Sequence, residues 1–276
     1  EKSNSCSSPI YYRFGSFDAR FAISKTNFES ETTWAANLWN KELGNNILVY
    51  DVLGKYDDVV INLIYDKRQA TTDKNKLLAA EIDNTKDAAE TLEKEYKTLQ
   101  AIFEQKKLDY EANIETFNAR QTAYNQSVEM WNAKGGAPKD EYDALMTEKA
   151  ALKTLADNLN SSHDMLTTML AEINAKITRH NELVAFANQN IDINNSSANI
   201  KFTEGNYNSG TNVINIYQFT DITKLKRVLA HEFGHAIGLD HVSGKQSIMY
   251  TINTATSTSL SEYDKEALHT FCSNNP

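Results

Sequence analysis

The chain has 276 residues, 41% of them apolar, and a formal net charge of −9. That length suits one large domain or two modest ones with a real core, and the negative balance without a basic patch disfavours a nucleic-acid binder. No apolar run reaches the roughly eighteen residues a membrane span needs.

Glu1, not methionine, stands first, so the chain is read as processed, with any signal peptide removed and a secreted or cell-surface location. Cys6 and Cys272 are the two cysteines. In an oxidising compartment they would tie the N-terminus to the last helix; otherwise they are two free thiols. Residues 10–23 alternate as a strand does, with "RFAIS" at 20–24 the best candidate. "FESETTWAANLWNKELG" at 28–44 reads as a helix capped by Ser30 or Thr32 and ended by Gly44. "NILVYDVLG" at 46–54 and "VVINLIYD" at 59–66 are β-branched and read as strands.

The character changes after Asp66. Apolar residues recur every three or four positions: Ala89, Leu92, Tyr96, Leu99, Phe103, Tyr110, Phe117, Tyr124 and Trp131, interrupted by Lys106, Asn113 and Arg120. "KGGAPKD" at 134–140 breaks the stripe. It resumes with Leu145, Leu152, Ala156, Leu159, Leu166, Leu170, Ile173, Ile177, Val184 and Ala187. Two such stripes around one short turn predict an antiparallel coiled-coil hairpin, about 75–100 Å long at the helical rise. The polar residues on it, with Lys149, His163 and His180, are expected to fix register or face solvent. The hairpin is expected over 67–195, inserted into an α+β domain made of 1–66 and 196–276. It is read as an exosite for a large protein substrate or a partner's docking arm, or else as a spacer or dimerisation stalk. "IKFTE" at 200–204 and "NVINIYQF" at 212–219 read as strands around "GNYNSG" at 205–210, a rim loop or simple turn. A helix follows from near Asp221 or Thr223, and "SLSEYDKEALHTFC" at 259–272 is the last.

"VLAHEFGHAIGLDH" at 228–241 holds three of the chain's six histidines. His231 and His235 are four apart, so they share one helix face. Gly238 can end the helix in a left-handed conformation, and the returning chain delivers His241. Three imidazoles leave a fourth tetrahedral position open, the arrangement of a catalytic zinc. Glu232 is turned away from the ligand plane and suits a general base acting on metal-activated water. Five specified positions arise by chance on the order of once in three million starts.

"HEFGHAIGLDH" resembles the metzincin zinc-protease signature at its fixed positions, and "SIMY" offers Met249 for the turn that lies beneath the zinc in that clan. Tyr250 after it resembles the matrixin branch, where it would shape the specificity pocket, and "LSEYDKEAL" is similar to the matrixin C-terminal helix, with Asp264 a structural hydrogen-bonding residue. The resemblance covers roughly 10–66 and 199–272. It implies a metzincin-like catalytic domain: a twisted mixed sheet, an active-site helix and a C-terminal helix. It implies one catalytic zinc and an endopeptidase that holds substrate extended along an edge strand, either 200–204 or 212–219. His163, His180 and His269 lie on the hairpin and the last helix, so the second zinc of animal matrixins is not expected. "NSCSSP" around Cys6 does not match the propeptide motif that blocks the metal. Structural calcium stays open, with no carboxylate-dense loop to place it. The alternative reading is a coiled-coil adhesion or assembly module with a latent or vestigial protease domain.

Overall fold

The computed structural model describes residues 6–56, 59–198 and 203–275. The chain divides into two compact units, Glu1–Ala79 with Asn194–Pro276, and Ala80–Ile193.

The first unit is built on a five-stranded mixed sheet in the order β2-β1-β3-β5-β4. Its strands are β1 (Ile10–Phe17), β2 (Leu48–Tyr50), β3 (Val59–Leu63), β4 (Gly205–Asn208) and β5 (Val213–Ile216). Strands β2, β1, β3 and β5 run parallel, and β4 is antiparallel to β5 at the edge. Alternate residues point to opposite faces, so Ile61, Leu63, Ile214 and Ile216 all enter one core. Helix α1 (Lys25–Leu43) brings Phe28, Ala35, Ala36 and Trp39 to that core, and α4 (Ile222–Ile237) brings Leu225, Leu229 and Phe233. Buried Trp39 donates its indole N–H to the Ala230 carbonyl at 2.8 Å, which fixes α1 against α4. Helix α5 (Glu262–Asn274) closes the unit.

Three expectations change. The first strand is Ile10–Phe17 and not 20–24. There the Asp18 carboxylate accepts from the Arg20 N–H at 3.0 Å, making a turn out of an alternating segment, and Ser24 caps α1 by accepting from Asn27 N at 3.1 Å. The tip "GNYN" is strand β4, because its backbone pairs with β5 from Gly205–Ile216 to Asn208–Val213. This places 212–219 inside the sheet, so it supplies no edge. Of the strand expected at 200–204, residues 200–202 lie outside the described residues.

Two long helices, α2 (Lys67–Ala133) and α3 (Lys139–Ala198), form the hairpin. In the second unit Arg120 makes two bonds to the Glu148 carboxylate, at 2.9 and 2.8 Å, and Lys176 reaches Glu95 at 2.7 Å. Tyr96 packs edge-on to His180 with centroids 5.7 Å apart. These pairs run in opposite senses along the helices, as an antiparallel hairpin requires, and polar residues on the stripe mark its register. Leu170 and Val184 of the stripe stand exposed, because two helices alone cannot cover the flanks of their seam. The first turns of α2 belong to the first unit: Gln69 Oε1 accepts from Phe219 N at 2.9 Å, and Thr72 Oγ1 accepts from Gln218 Nε2 at 2.7 Å.

Cys6 and Cys272 are joined in a disulfide, and Cys6 N donates to Asn275 O at 3.1 Å. The bridge spans 266 positions, a closure that removes much unfolded-state entropy. Replacing both cysteines by serine is expected to cost about 2–5 kcal/mol, read as a lower guanidinium midpoint. Reductant should bring the wild type to the same midpoint and leave the variant unmoved.

Candidate active site

Helix α4 starts where the Asp221 carboxylate accepts from Lys224 N at 2.9 Å, and ends at Gly238, whose φ is 119°. A side chain at that φ would be strained, and the bend lets His241 return toward the helix. The Nε2 atoms of His231, His235 and His241 then stand 3.1, 3.2 and 3.3 Å apart. His231 donates Nδ1–H to Ile248 O at 2.7 Å, and His235 donates Nδ1–H to Leu239 O at 2.8 Å. Those carbonyls fix the tautomers and leave Nε2 lone pairs facing one another. A tetrahedral zinc with Zn–N near 2.0–2.1 Å needs nitrogens about 3.3–3.4 Å apart, so the donor set fits that ion. These three histidines are the cluster of metal-ligand type found among the described residues.

Electrostatics agrees with a metal-binding role. Burial pushes the His231 pKa down to about 4, and lowers His235 as well, so protons compete weakly for these nitrogens. Burial pushes the Glu232 carboxyl up to about 7, with the Tyr207 backbone N–H pulling it back.

Met249 is fully buried and packs on the helix at Gly234, where an added Cβ would overlap the Met249 sulfur and sit 3.1 Å from the Trp39 ring. Asp264, fully buried near the start of α5, holds this turn in place. Its carboxylate accepts from Ile248 N and Met249 N, each at 2.9 Å, and from Ser261 N and Oγ, each at 2.8 Å. Because Ile248 O is the acceptor for His231, the carboxylate positions a histidine through two bonds of backbone. Tyr250, next in the chain, lines a cleft of about 650 Å³ together with all three histidines and Glu232. Gly205, Asn206 and Tyr207 of strand β4 line it too.

The profile of the Matrixin family matches residues 24–271. The chain belongs to the matrixin family. No curated protein and no solved structure matches it. Matrixins are zinc metalloendopeptidases, and the family's histidine triad is intact and assembled in this matrixin.

Sequence reasoning brought out the histidines, Glu232, Gly238, Met249, Tyr250 and Asp264; the histidines, Glu232 and Tyr250 line the cleft, while Met249 and Asp264 are buried behind it and Gly238 ends the helix. That reasoning missed the bolts behind them. Arg227 is almost wholly buried, with Nη2 donating to Ser247 O at 2.7 Å, Nε to Asn253 Oδ1 at 2.7 Å and Nη1 to Ser257 O. Lys224 Nζ donates to Asn253 O at 2.6 Å and Ala255 O at 3.0 Å. The available signal was spacing alone: Arg227 lies one turn before His231 on the same helix.

Removing the Asp264 carboxylate would leave buried backbone donors without acceptors, at about 1–3 kcal/mol each. Asp264→Ala is expected to lose on the order of 3–5 kcal/mol of stability and to bind zinc more weakly. Asp264→Asn, which must turn an NH₂ toward some of these donors, should lose part of both. Denaturant melts and zinc competition with a chromogenic chelator check the two effects.

Proposed function

We propose that this matrixin cleaves extracellular proteins or peptides, with His231, His235 and His241 as zinc ligands and Glu232 as general base. The assembled triad with an acid-base group beside it carries the reading. A zinc ion held there supplies Lewis acidity toward a water and toward a carbonyl oxygen. Glu232 takes the proton of the attacking water and returns it to the departing amine nitrogen, and a carboxyl held near neutrality by burial suits both transfers. Gly238 supplies the bend that delivers His241. Met249 is the floor beneath the ligands, and Tyr250 is part of the wall that meets the substrate side chain. Strand β4, whose outer edge pairs with no strand among the described residues, aligns an extended substrate by main-chain bonds.

The disulfide supports an extracellular setting. No helix among the described residues is long and apolar enough to cross a membrane. For the hairpin we favour a role in gripping a protein substrate, because Met130, Tyr142 and Met146 stand exposed on either side of its turn. The vestigial-enzyme alternative has less support, since all three ligands and the base are present.

A peptide library read by mass spectrometry tests the mechanism. The wild type with one zinc per chain should cut, a chelator should stop it, and Glu232→Ala should retain zinc but lose about 10²–10⁴-fold in rate. If Glu232→Ala cuts at the wild-type rate, Glu232 is not the base. Excision of residues 80–193, the second unit, should spare peptide cleavage and slow cleavage of a folded protein target. Equal retention of both would rule out an exosite.

A further inference from the structure

The chemistry of the cleft is unusual for a pocket that receives a substrate side chain. Such pockets are mostly apolar with a few placed polar groups. This one is lined by Val228 and Tyr250, but also by Glu204, Asn206, Gln218 and Asn253.

Two of the amides among these groups donate within the fold. Asn253 gives Nδ2–H to Glu204 Oε2 at 2.6 Å, while its Oδ1 accepts from Arg227. Gln218 gives Nε2–H to Thr72. The Glu204 carboxylate is only half committed. The bond from Asn253 engages one of its two oxygens, Oε2. A carboxylate oxygen at a pocket wall is a ready acceptor for a donor that a ligand brings.

No lysine or arginine among the described residues lines the cleft. Lys224 and Arg227 act on Glu204 by charge, but their hydrogen bonds run to Asn253, Ala255, Ser247 and Ser257, and neither residue lines the cleft. Burial raises the Glu204 carboxyl above its ordinary value, with Lys224 and Arg227 only partly offsetting this. An entering cation would offset it further.

We propose that this cleft receives a lysine or arginine side chain of the substrate and that Glu204 is the residue that selects it. The ammonium or guanidinium meets the Glu204 carboxylate, and the stem lies along Val228 and Tyr250. Asn253 positions Glu204 by holding Oε2 from the side of α4. A site built to hydrogen-bond a substrate group rejects a substrate lacking it more strongly than an apolar pocket rejects a misfit, because its own polar atoms are left unpaired. This inference rests on the protease reading for the identity of the ligand as a peptide.

The test uses the full zinc-loaded chain and peptides that differ at one position at a time on either side of the cut. At one position the wild type should show kcat/KM for lysine or arginine higher than for leucine or methionine by on the order of 10–100-fold. Glu204→Gln, which keeps an acceptor for Asn253, should reduce that ratio at least about tenfold, mostly through the basic peptides. Zinc content and melting temperature confirm that this variant is folded. A wild type that cuts well but favours leucine at every position overturns the proposal without any variant. A basic preference that survives in Glu204→Gln also overturns it. The same peptides bound to zinc-loaded Glu232→Ala, followed by calorimetry, read the pocket without chemistry. If the wild type cuts nothing, basic peptides that still bind tighter, and lose this with Glu204→Gln, sustain the pocket while the protease reading falls. Equal binding of basic and aliphatic peptides overturns the pocket as well.

Discussion

Three imidazole nitrogens held 3.1–3.3 Å apart, with two of the rings fixed as Nδ1–H tautomers, place lone pairs against one another. That arrangement needs the surrounding structure to hold the rings in place. Two histidines are placed by helical periodicity, which fixes a spacing of four residues on one face. The third depends on a left-handed bend at Gly238 and on a turn that contains no regular structure. Preorganisation here is therefore a matter of loops, and loops need anchors.

The anchors come from three directions and are all buried. Trp39 reaches from α1 to the carbonyl of Ala230, the residue before the first ligand. Asp264 reaches from α5 to the amides of Ile248 and Met249. Arg227 reaches from α4 itself to Ser247 and to the loop beyond Tyr250. Asp264 and Arg227 replace water at backbone groups in the interior, which are expensive to leave unmade, and Trp39 adds a second donor to a helical carbonyl. They also share neighbours: Arg227 and Asp264 grip opposite ends of the segment 247–249, so their effects should not be additive.

The legible part of this protein is the local part. Histidines at 231, 235 and 241 are readable because helix geometry and one glycine bend relate them within eleven positions. Helices were readable from periodicity, even where Leu170 and Val184 proved exposed. The sheet was harder. Residues 20–24 alternate as a strand does, yet the Asp18 carboxylate captures the Arg20 N–H and turns the chain. Strand β4, "GNYN", has the composition of a turn, and it is a strand because β5 offers it a partner. Gly205 stands there for a reason no local pattern contains: a Cβ would come within 2.7 Å of Val228 and 3.1 Å of the Glu232 carboxylate. The Cys6–Cys272 bond and the Glu204–Asn253–Arg227 chain join residues far apart in sequence, so one sequence read by spacing leaves them open.

The root of the hairpin shows how such distant bonds change the meaning of an insertion. A coiled coil that left a surface loop and returned to it would be energetically separate from its host. Here the first three turns of α2 are not separate. Gln69 accepts from the buried Phe219 N–H and donates to Asp73 at 2.8 Å, and Asp73 in turn accepts from the Tyr65 hydroxyl at 2.9 Å. Arg68 lies 3.3 Å from the centroid of the Tyr217 ring and pairs with Asp66. Thr72 engages Gln218, a residue of the cleft wall. Cutting the helix at residue 67 would therefore strip partners from the chain that follows β5 and leave buried donors unsatisfied at about 1–3 kcal/mol each. The hydrogen bonds thus place residues 67–79 with the protease, as a brace behind its pocket wall, although periodicity alone assigns them to the hairpin.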